Sequence, residues 1–454
     1  MNNSAVFFGG AINWGGKNGV VSASIFVNNS ANYSGGAINW GSRNGVVSGC
    51  SFENNSASNG GGAVRWSSLD GILCNSSFVN NSAPNGGAVF WLIGPGSLCN
   101  CSFLNNSAGE GIVYFEKDVG SGLNVNGNIF SANNCSAIAF LKSDPTSNID
   151  SNWYDNDADY EGGPNLPQQN SWLVLNATAN PTTISYSDTA EVMFALYLYD
   201  PVSGNSSLYD SAQFEKIRLS ITAIKGNAPS LAKFGEKITF TSTEAGNGGV
   251  TATLGRKSLT VNLTINKAQT AIEASPVSAK YGEDKYLTVT LRDDKGNPLA
   301  GASITVNMNG IKTYTTDKNG QIKVKTQGIV PKTYTAKIAF GGNANYVQSA
   351  KDVKITIKKA KPKLAAKNKK FKKSKKVKKY AVTLKDANKK PIKKAKLTLK
   401  IKGKKAITVK TNKKGKATFK IKKLTKKGRY SAKVTFKGDK CYTKLAKKVK
   451  ITVK

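Results

Sequence analysis

Residues 2–14 read NNSAVFFGGAINW, residues 28–40 NNSANYSGGAINW, residues 54–66 NNSASNGGGAVRW and residues 80–91 NNSAPNGGAVFW. The first asparagines, Asn2, Asn28, Asn54 and Asn80, step by 26 residues, and weaker copies begin at Asn105 and Asn133. A period in the twenties without helical spacing is the mark of a stacked solenoid. Each unit holds two strand-like runs: G-G-A-[IV]-x-W, and a second centred on Phe26, Phe52, Phe78, Phe103 and Phe130. The runs are too short and too rich in aromatic and β-branched residues for helices. The glycine pairs Gly9-Gly10, Gly35-Gly36, Gly61-Gly62 and Gly86-Gly87 suit corners, where positive φ is open to glycine. The unit length matches one turn of a right-handed parallel β-helix, each turn about 4.8 Å above the last.

Stacking places like residues in columns. The phenylalanine column is expected inside, and Asn29, Asn55, Asn81 and Asn106 are expected to form an amide ladder at a turn. Two small-residue columns, Ser24/Cys50/Ser76/Cys101 and Ser22/Ser48/Cys74/Cys99, are expected to fill a narrow interior. In the other run Asn13, Asn39 and Arg65 should face water, which sends Ile12, Ile38, Val64, Val89 and the tryptophans inward or into a corner. The column Trp14, Trp40, Trp66 and Trp91 has two readings: core filling, or a ring strip for stacking sugars.

The GGAI run followed by FxxN, at Phe26–Asn29, Phe52–Asn55, Phe78–Asn81 and Phe103–Asn106, resembles the repeats of chlamydial polymorphic outer-membrane proteins. It is still more similar to adhesin-like surface proteins of methanogenic archaea, over roughly residues 1–140. The resemblance implies a β-helix of pectin-lyase-like fold followed by Ig-like modules, often with a lysine-rich end. The chlamydial type ends in a membrane β-barrel, and no strands with that pattern of aromatic girdles are read here. The chain opens MNNSAVFF, already inside a repeat, so the β-helix is expected to be truncated at its N-terminus, with further coils and a secretion signal upstream.

From Trp172 to Ile265 the chain alternates short strands at the spacing of an Ig-like sandwich. Two further modules repeat each other: Asp294–Pro298 matches Asp386–Pro391, Thr316–Gly320 matches Asn412–Gly415, and Phe340–Tyr346 matches Phe436–Tyr442. These motifs resemble bacterial Ig-like surface repeats. The fold class is therefore all-β, a right-handed parallel β-helix followed by tandem Ig-like β-sandwich domains. The expected boundaries are 1–160, 161–266, 267–359 and 360–454.

Charge divides the chain unevenly. The net charge is +39. Residues 361–454 hold 39 Lys plus Arg against Asp386 and Asp439, or +37, and the other residues contribute +2. In KLTLKIKGKKAITVK, residues 396–410, lysine alternates with Leu, Ile and Val, the pattern of a half-buried strand. The lysines therefore decorate a folded domain rather than a loose tail, with Lys367–Lys379 the exception. Such a domain seeks polyanions. An anionic cell-wall polymer is the expected partner, beside a surface ligand on another cell or a glycan for the β-helix. Arg429 is the module's one arginine and aromatic residues are sparse, so nucleic acid is not expected. A plain charge coat that keeps the domain soluble is the competing account.

Catalytic chemistry is thin. The chain has no histidine, which removes Ser-His-Asp, Cys-His and histidine-metal sites together. The acids of the repeat region, Glu53, Asp70, Glu110, Glu116, Asp118, Asp144 and Asp150, are scattered. No catalytic residue, cofactor or metal is assigned, and the chain is not expected to be an enzyme. Asp155, Asp157, Asp159 and Glu161 alternate as Ca²⁺ ligands can, but lack the glycine and glutamate of an EF-hand loop. Cys74 and Cys99 share a column on adjacent coils within disulfide reach, whereas Cys50 and Cys101 lie two coils apart. Reduced interior filling is the preferred reading of the cysteines. N-x-[ST] sequons recur at the ladder turns and at Asn32, Asn75, Asn100, Asn134, Asn176, Asn205 and Asn262. No run of apolar residues is long enough to span a membrane.

The reading that joins these features is an extracellular, cell-surface adhesin-like protein. Its β-helix presents a binding surface, its Ig-like modules form a stalk, and its lysine-rich module holds the wall. The alternatives are a carbohydrate-binding or polysaccharide-degrading β-helix protein and a purely structural wall-layer protein.

Overall fold

The computed structural model describes residues 1–116, 122–156, 159, 165–374 and 376–454. Asp118, Asp157 and Glu161, and the expected boundary between 160 and 161, lie outside the described residues. The chain forms two compact units, Met1–Lys267 and Ala268–Lys454.

The first unit begins as a right-handed parallel β-helix. Each coil contributes four short strands rather than the two read from the sequence, as in Ser30–Ala31, Ile38–Trp40, Val46–Ser48 and Ser51–Glu53. The missed strands, of two to four residues, are too short to show any periodicity. Strands pair only with their equivalents one coil away, Phe52 beside Phe78 and Trp40 beside Trp66.

That register stacks the core. Phe26, Phe52, Phe78, Phe103 and Phe130 lie ring on ring with centroids 4.7–4.9 Å apart. Beside them the amides form a ladder. Asn55 Nδ2 donates to Asn81 Oδ1 at 3.0 Å and to the Phe26 carbonyl at 3.0 Å, and Asn55 Oδ1 accepts from the backbone N–H and Nδ2 of Asn29 at 2.9 and 2.8 Å. The pattern runs from Asn3 through Asn29, Asn55, Asn81 and Asn106 to Asn133. Each bridging amide thereby meets a buried backbone N–H and a buried carbonyl of the coil before it. The preceding asparagine of each pair, Asn28, Asn54, Asn80 and Asn105, takes φ of +55 to +56° and remains exposed, so the ladder turns need both asparagines.

The glycine pairs divide two tasks. Gly35 has φ +70°, whereas a Cβ on Gly36 would lie 2.1 Å from the Gly62 carbonyl oxygen of the next coil. The first supplies the turn and the second lets two backbones meet.

One interior assignment is corrected. Cys50 and Cys101 are buried, but Ser22, Ser48, Cys74 and Cys99 are not, and Val21, Val47, Leu73 and Leu98 fill the interior instead. The residues between the two columns, Ala23, Gly49, Asn75 and Asn100, all have positive φ of +46 to +61°. A left-handed residue turns the chain, so the alternation counted back from phenylalanine does not continue through it.

A β-sandwich follows within the same unit. One sheet contains Trp172–Asn180, Thr189–Tyr199 and Lys237–Ser242, and the other Gly246–Leu254, Lys257–Asn266 and Leu219–Ile224. Its core cluster takes in Ile129 and Trp153 of the last coils. The hairpin at Gly255-Arg256 seats on the end of the β-helix: the Arg256 N–H donates to Asp155 at 3.0 Å and its guanidinium to the Asn133 carbonyl at 2.8 Å. A Cβ on Gly255 would lie 2.0 Å from Asp155 Oδ2. The sandwich thus covers the end coil, where an open strand edge would otherwise invite pairing.

The second unit holds two sandwiches built alike, each a three-stranded sheet on a five-stranded one. A buried threonine pins the same corner in both. Thr316 Oγ1 donates to the Leu299 carbonyl at 2.6 Å and accepts from Ala302 N–H at 2.8 Å; Thr411 Oγ1 donates to Ile392 at 2.7 Å and accepts from Ala395 at 2.9 Å.

Replacing Asn81 by alanine should cost about 3 kcal/mol, since it strands the Asn55 N–H and the Phe52 carbonyl of the preceding coil and removes a donor from Asn106 Oδ1 of the next. Asn81→Asp should lose no less, because it removes two donors and buries a charge. Denaturant unfolding of the chain checks both; a loss below about 0.5 kcal/mol would show that the ladder is dispensable.

Candidate binding surfaces

The tryptophan column lies inside. Trp40, Trp66 and Trp91 are at most 1% exposed, and their rings stack on one another at 5.1 Å, with Trp14 on Trp40 at 5.3 Å. The faces of Trp40 and Trp66 are covered by neighbouring indoles and Trp91 lies between Trp66 and Phe115, so these three have no ring face open to sugar and serve as core, whereas Trp14 is half-buried with one face on Trp40. Gly45, Gly71 and Gly96 pass directly over the indoles. The outer column beside it also differs from expectation. Asn39 is buried, because the Arg65 guanidinium lies across it, with Nη1 donating to Asn39 Oδ1 at 2.8 Å, and reaches the Phe8 ring at 4.8 Å.

A different face of the β-helix is open. The short strands Ser30–Ala31, Ser56–Ala57, Ser82–Asn85 and Ser107–Glu110 floor a groove of about 590 Å³. Ala31, Ala57 and Ala83 are turned inward, leaving serine hydroxyls, Asn32, Ser58 and Pro84 along the surface. Ser30 Oγ donates to Ser4 Oγ at 3.2 Å, one coil away. Tyr33, which follows the lining residue Asn32 in sequence, is 47% exposed and meets Phe8 edge to face at 5.2 Å. The lining carries no charged side chain, so the groove offers neutral hydroxyl and amide groups repeated at the coil spacing. Sequence reading missed it because its strands are two to four residues long; the recurring Ser-Ala after each asparagine pair was the available signal.

The cysteines are free thiols. Cys74 and Cys99 are partners on adjacent strands, and burial, then the neighbouring Cys74, pushes the Cys99 thiol up to about 11. Burial likewise raises Cys50 and Cys101. Thiols so raised are poor nucleophiles at neutral pH. Cys50 and Cys101 belong to a second ladder. Cys50 N–H donates to Ser76 Oγ, Ser76 N–H to Cys101 Sγ, Cys101 N–H to Asn128 Oδ1 and Asn128 N–H to Asn152 Oδ1, at 2.9–3.4 Å.

Of the alternating acids only Asp155 and Asp159 lie within the described residues, among which no group of three or more metal-binding side chains occurs. Asp155 instead accepts the backbone N–H groups of Ala132 and Arg256. Asp159 is pushed up to about 6, chiefly by burial, with repulsion from Asp155 and opposed by the Ala137 N–H and by Arg256.

In the last sandwich, apart from the buried Lys378, the inward strand positions are apolar and the lysines face out, as in strand Lys416–Ile421, where Lys416 and Lys420 are exposed and Ala417, Phe419 and Ile421 buried. Its two acids serve turns: Asp386 accepts Lys390 N–H at 2.7 Å, and Asp439 accepts Cys441 and Tyr442 N–H at 2.8 Å. In the preceding sandwich, by contrast, Arg292 pairs with Glu273 at 3.5 Å and Lys325 with Asp284 at 3.3 Å. No helix among the described residues is long and apolar enough to cross a membrane.

No protein-family model matches the chain, and no curated protein sequence matches it. Solved structures do. Invasin, a bacterial integrin-binding protein, is 15% identical over 62% of this chain and 60% of its own, with a TM-score of 0.31. The Escherichia coli adhesin FdeC is 15% identical over 62% of this chain and 96% of its own, TM-score 0.22. The Yersinia pseudotuberculosis adhesin InvE is 15% identical over 40% of this chain and 58% of its own, TM-score 0.23. At these values the likenesses carry no argument about ligand or activity.

Because the folded state holds the Asp159 proton more tightly than the unfolded chain does, its stabilising contribution is full below about pH 4 and is lost as pH rises through about 6. Asp159→Asn should flatten that part of the stability curve. Thermal melts between pH 4 and 7 check it; identical slopes for both proteins would exclude a buried Asp159.

Proposed function

We propose that the protein is an adhesin-like cell-surface protein. The neutral groove of the β-helix takes a surface glycan or another uncharged polar ligand, and the lysine-rich sandwich attaches to an anionic cell-wall polymer. The intervening sandwiches serve as the stalk. The observation that carries the reading is the last module's charge: 39 bases against two acids on a folded domain, with both acids engaged in turns. Folding gains nothing from that excess, since like charges repel. A partner outside the chain that supplies the opposite charge gives it a use.

The β-helix reading rests on repetition. Weak contacts repeated on successive coils gain strength by avidity, so a shallow groove can hold a polymer without a deep pocket. The groove's neutral lining fits a glycan better than a charged ligand. It presents no pair of carboxylates of the kind glycoside hydrolysis requires, so binding rather than cleavage is the reading it supports.

The test is retention of the full chain on purified cell-wall sacculi at about 0.15 M salt, compared with a chain ending at residue 359 and with heparin and duplex DNA as competing polyanions. Retention of the full chain alone is expected. Equal retention of both chains, or release of the full chain from every surface at that salt, would overturn wall attachment by the last module.

A further inference from the structure

The two sandwiches of the second unit provide a comparison within one molecule. Their five-stranded sheets share a register. In the preceding module Ile304 faces Phe340 and Val306 faces Ile338; in the last, Leu397 faces Phe436 and Leu399 faces Val434. Outward positions can therefore be matched residue by residue.

One outward row crosses three adjacent strands. In the preceding module it reads Asn307, Lys337, Asp352, and in the last it reads Lys400, Lys433, Lys448. Beyond an uncharged pair kept in both modules, Thr305 opposite Thr313 and Thr398 opposite Thr408, Ser303 opposite Thr315 becomes Lys396 opposite Lys410. Lys354 becomes Lys450, which lies opposite Ser431. Six matched positions thus change from a net +1 to a net +6.

Like charges directly opposite one another destabilise a sheet. Edge protection does not account for the row, because Lys433 lies on Gly428–Phe436, the middle strand of the five. Solubility does not require it either, since the preceding module keeps the same sheet with mixed charge. At the end of the face lies a groove of about 430 Å³, lined by Lys393, Lys394, Lys396, Thr398, Thr408 and Lys437, with one carboxylate, Asp439, which is held by the Cys441 and Tyr442 N–H groups. The Thr398 and Thr408 hydroxyls are bonded to each other at 3.0 Å and face outward with the lysines.

We infer that this face and groove are the seat of a linear anionic polysaccharide, its chain running across the strands. Lysines on neighbouring strands are spaced about 4.8 Å apart, and those two apart on one strand about 6.7 Å. A polymer carrying one negative group per repeat unit meets successive ammonium groups along such a row. Lysine contributes point charges without the bidentate fork that reads phosphates and bases, which favours a polysaccharide over nucleic acid. The paired threonines offer hydroxyls to sugar. The inference rests on wall attachment by the last module and places it on one of that module's two sheets.

The test gives the last module the outward residues of its neighbour in the full chain: K396S, K400N, K410T and K448D, a change of five charges. The control removes five charges from the opposite, three-stranded sheet: K363Q, K379Q, K385Q, K416Q and K420Q. Binding is read on immobilised polygalacturonate, a linear uronate, and on duplex DNA across a salt series. The face variant should lose about tenfold or more in affinity for the uronate, and the control about threefold or less. Its melting temperature should rise, because the like-charge row is relieved, which separates lost binding from lost folding. The single variant K448D, which restores the Lys–Asp pairing of the preceding module, should show the same two changes at smaller size.

Equal losses in face variant and control would overturn the site and leave a diffuse charge coat, with wall attachment still standing. Tighter binding of DNA than of the uronate, abolished in the face variant, would overturn the polysaccharide. A lower melting temperature for K448D would overturn the like-charge argument. If the unaltered chain holds no polyanion even at low salt, wall attachment fails as well.

Discussion

A stack of parallel coils can bury polar groups only if each finds its partner one coil away, at the strand spacing. Asparagine meets this condition from both sides. Its oxygen accepts two bonds and its amide nitrogen gives two. Asn81 takes bonds from Asn55 and gives them to Asn106 and the Phe52 carbonyl. Once one column is fixed at that spacing, the rest of the coil follows. Phenylalanine falls on phenylalanine, indole on indole, and serine hydroxyls line up outside. The open groove is a consequence of the same register.

The register has to end, and the side chains change where it does. The ladder that starts with Cys50 and Ser76 changes to Asn128 and Asn152 as the coils approach the sandwich. Asp155 then satisfies N–H groups from both the last coil and the hairpin at Arg256. A carboxylate accepts more bonds than an amide but donates none, which suits a place where N–H groups converge from two elements. Gly255 allows the approach, because any side chain there would meet Asp155.

How much of this the sequence discloses depends on how far each signal extends. The 26-residue repeat, the phenylalanine column and the asparagine ladder are legible because they recur coil after coil. The Ser-Ala strands are not, since two residues carry no period. The inside-outside assignment holds only as far as the next left-handed residue: Cys50 is placed correctly, and Cys74 is not, because Asn75 with φ +49° stands between Cys74 and the phenylalanine run. The tryptophans were ambiguous for a different reason. Composition gives a large ring either a wall or a core, and only the overlying glycines and neighbouring indoles decide. The lysine alternation was readable along each strand, but the row across strands depends on pairing, which is not local in sequence.

The last sandwich shows how loosely surface charge is tied to fold. Its inward positions repeat those of its neighbour in kind, with Leu397, Leu399, Val434 and Phe436 standing where Ile304, Val306, Ile338 and Phe340 stand. Those positions carry the hydrophobic driving force, so the outward ones are free to change. Lysine is the cation that tolerates crowding best: its long stem lets neighbouring ammonium groups splay apart, and its head stays strongly hydrated. A sheet coated this way resists pairing with its own kind. It also attracts polyanions through its charge density, so its grip weakens as salt rises. Under the proposed function, such a salt-sensitive grip suits a module that holds a surface, with recognition assigned to the uncharged, regularly spaced hydroxyls of the β-helix.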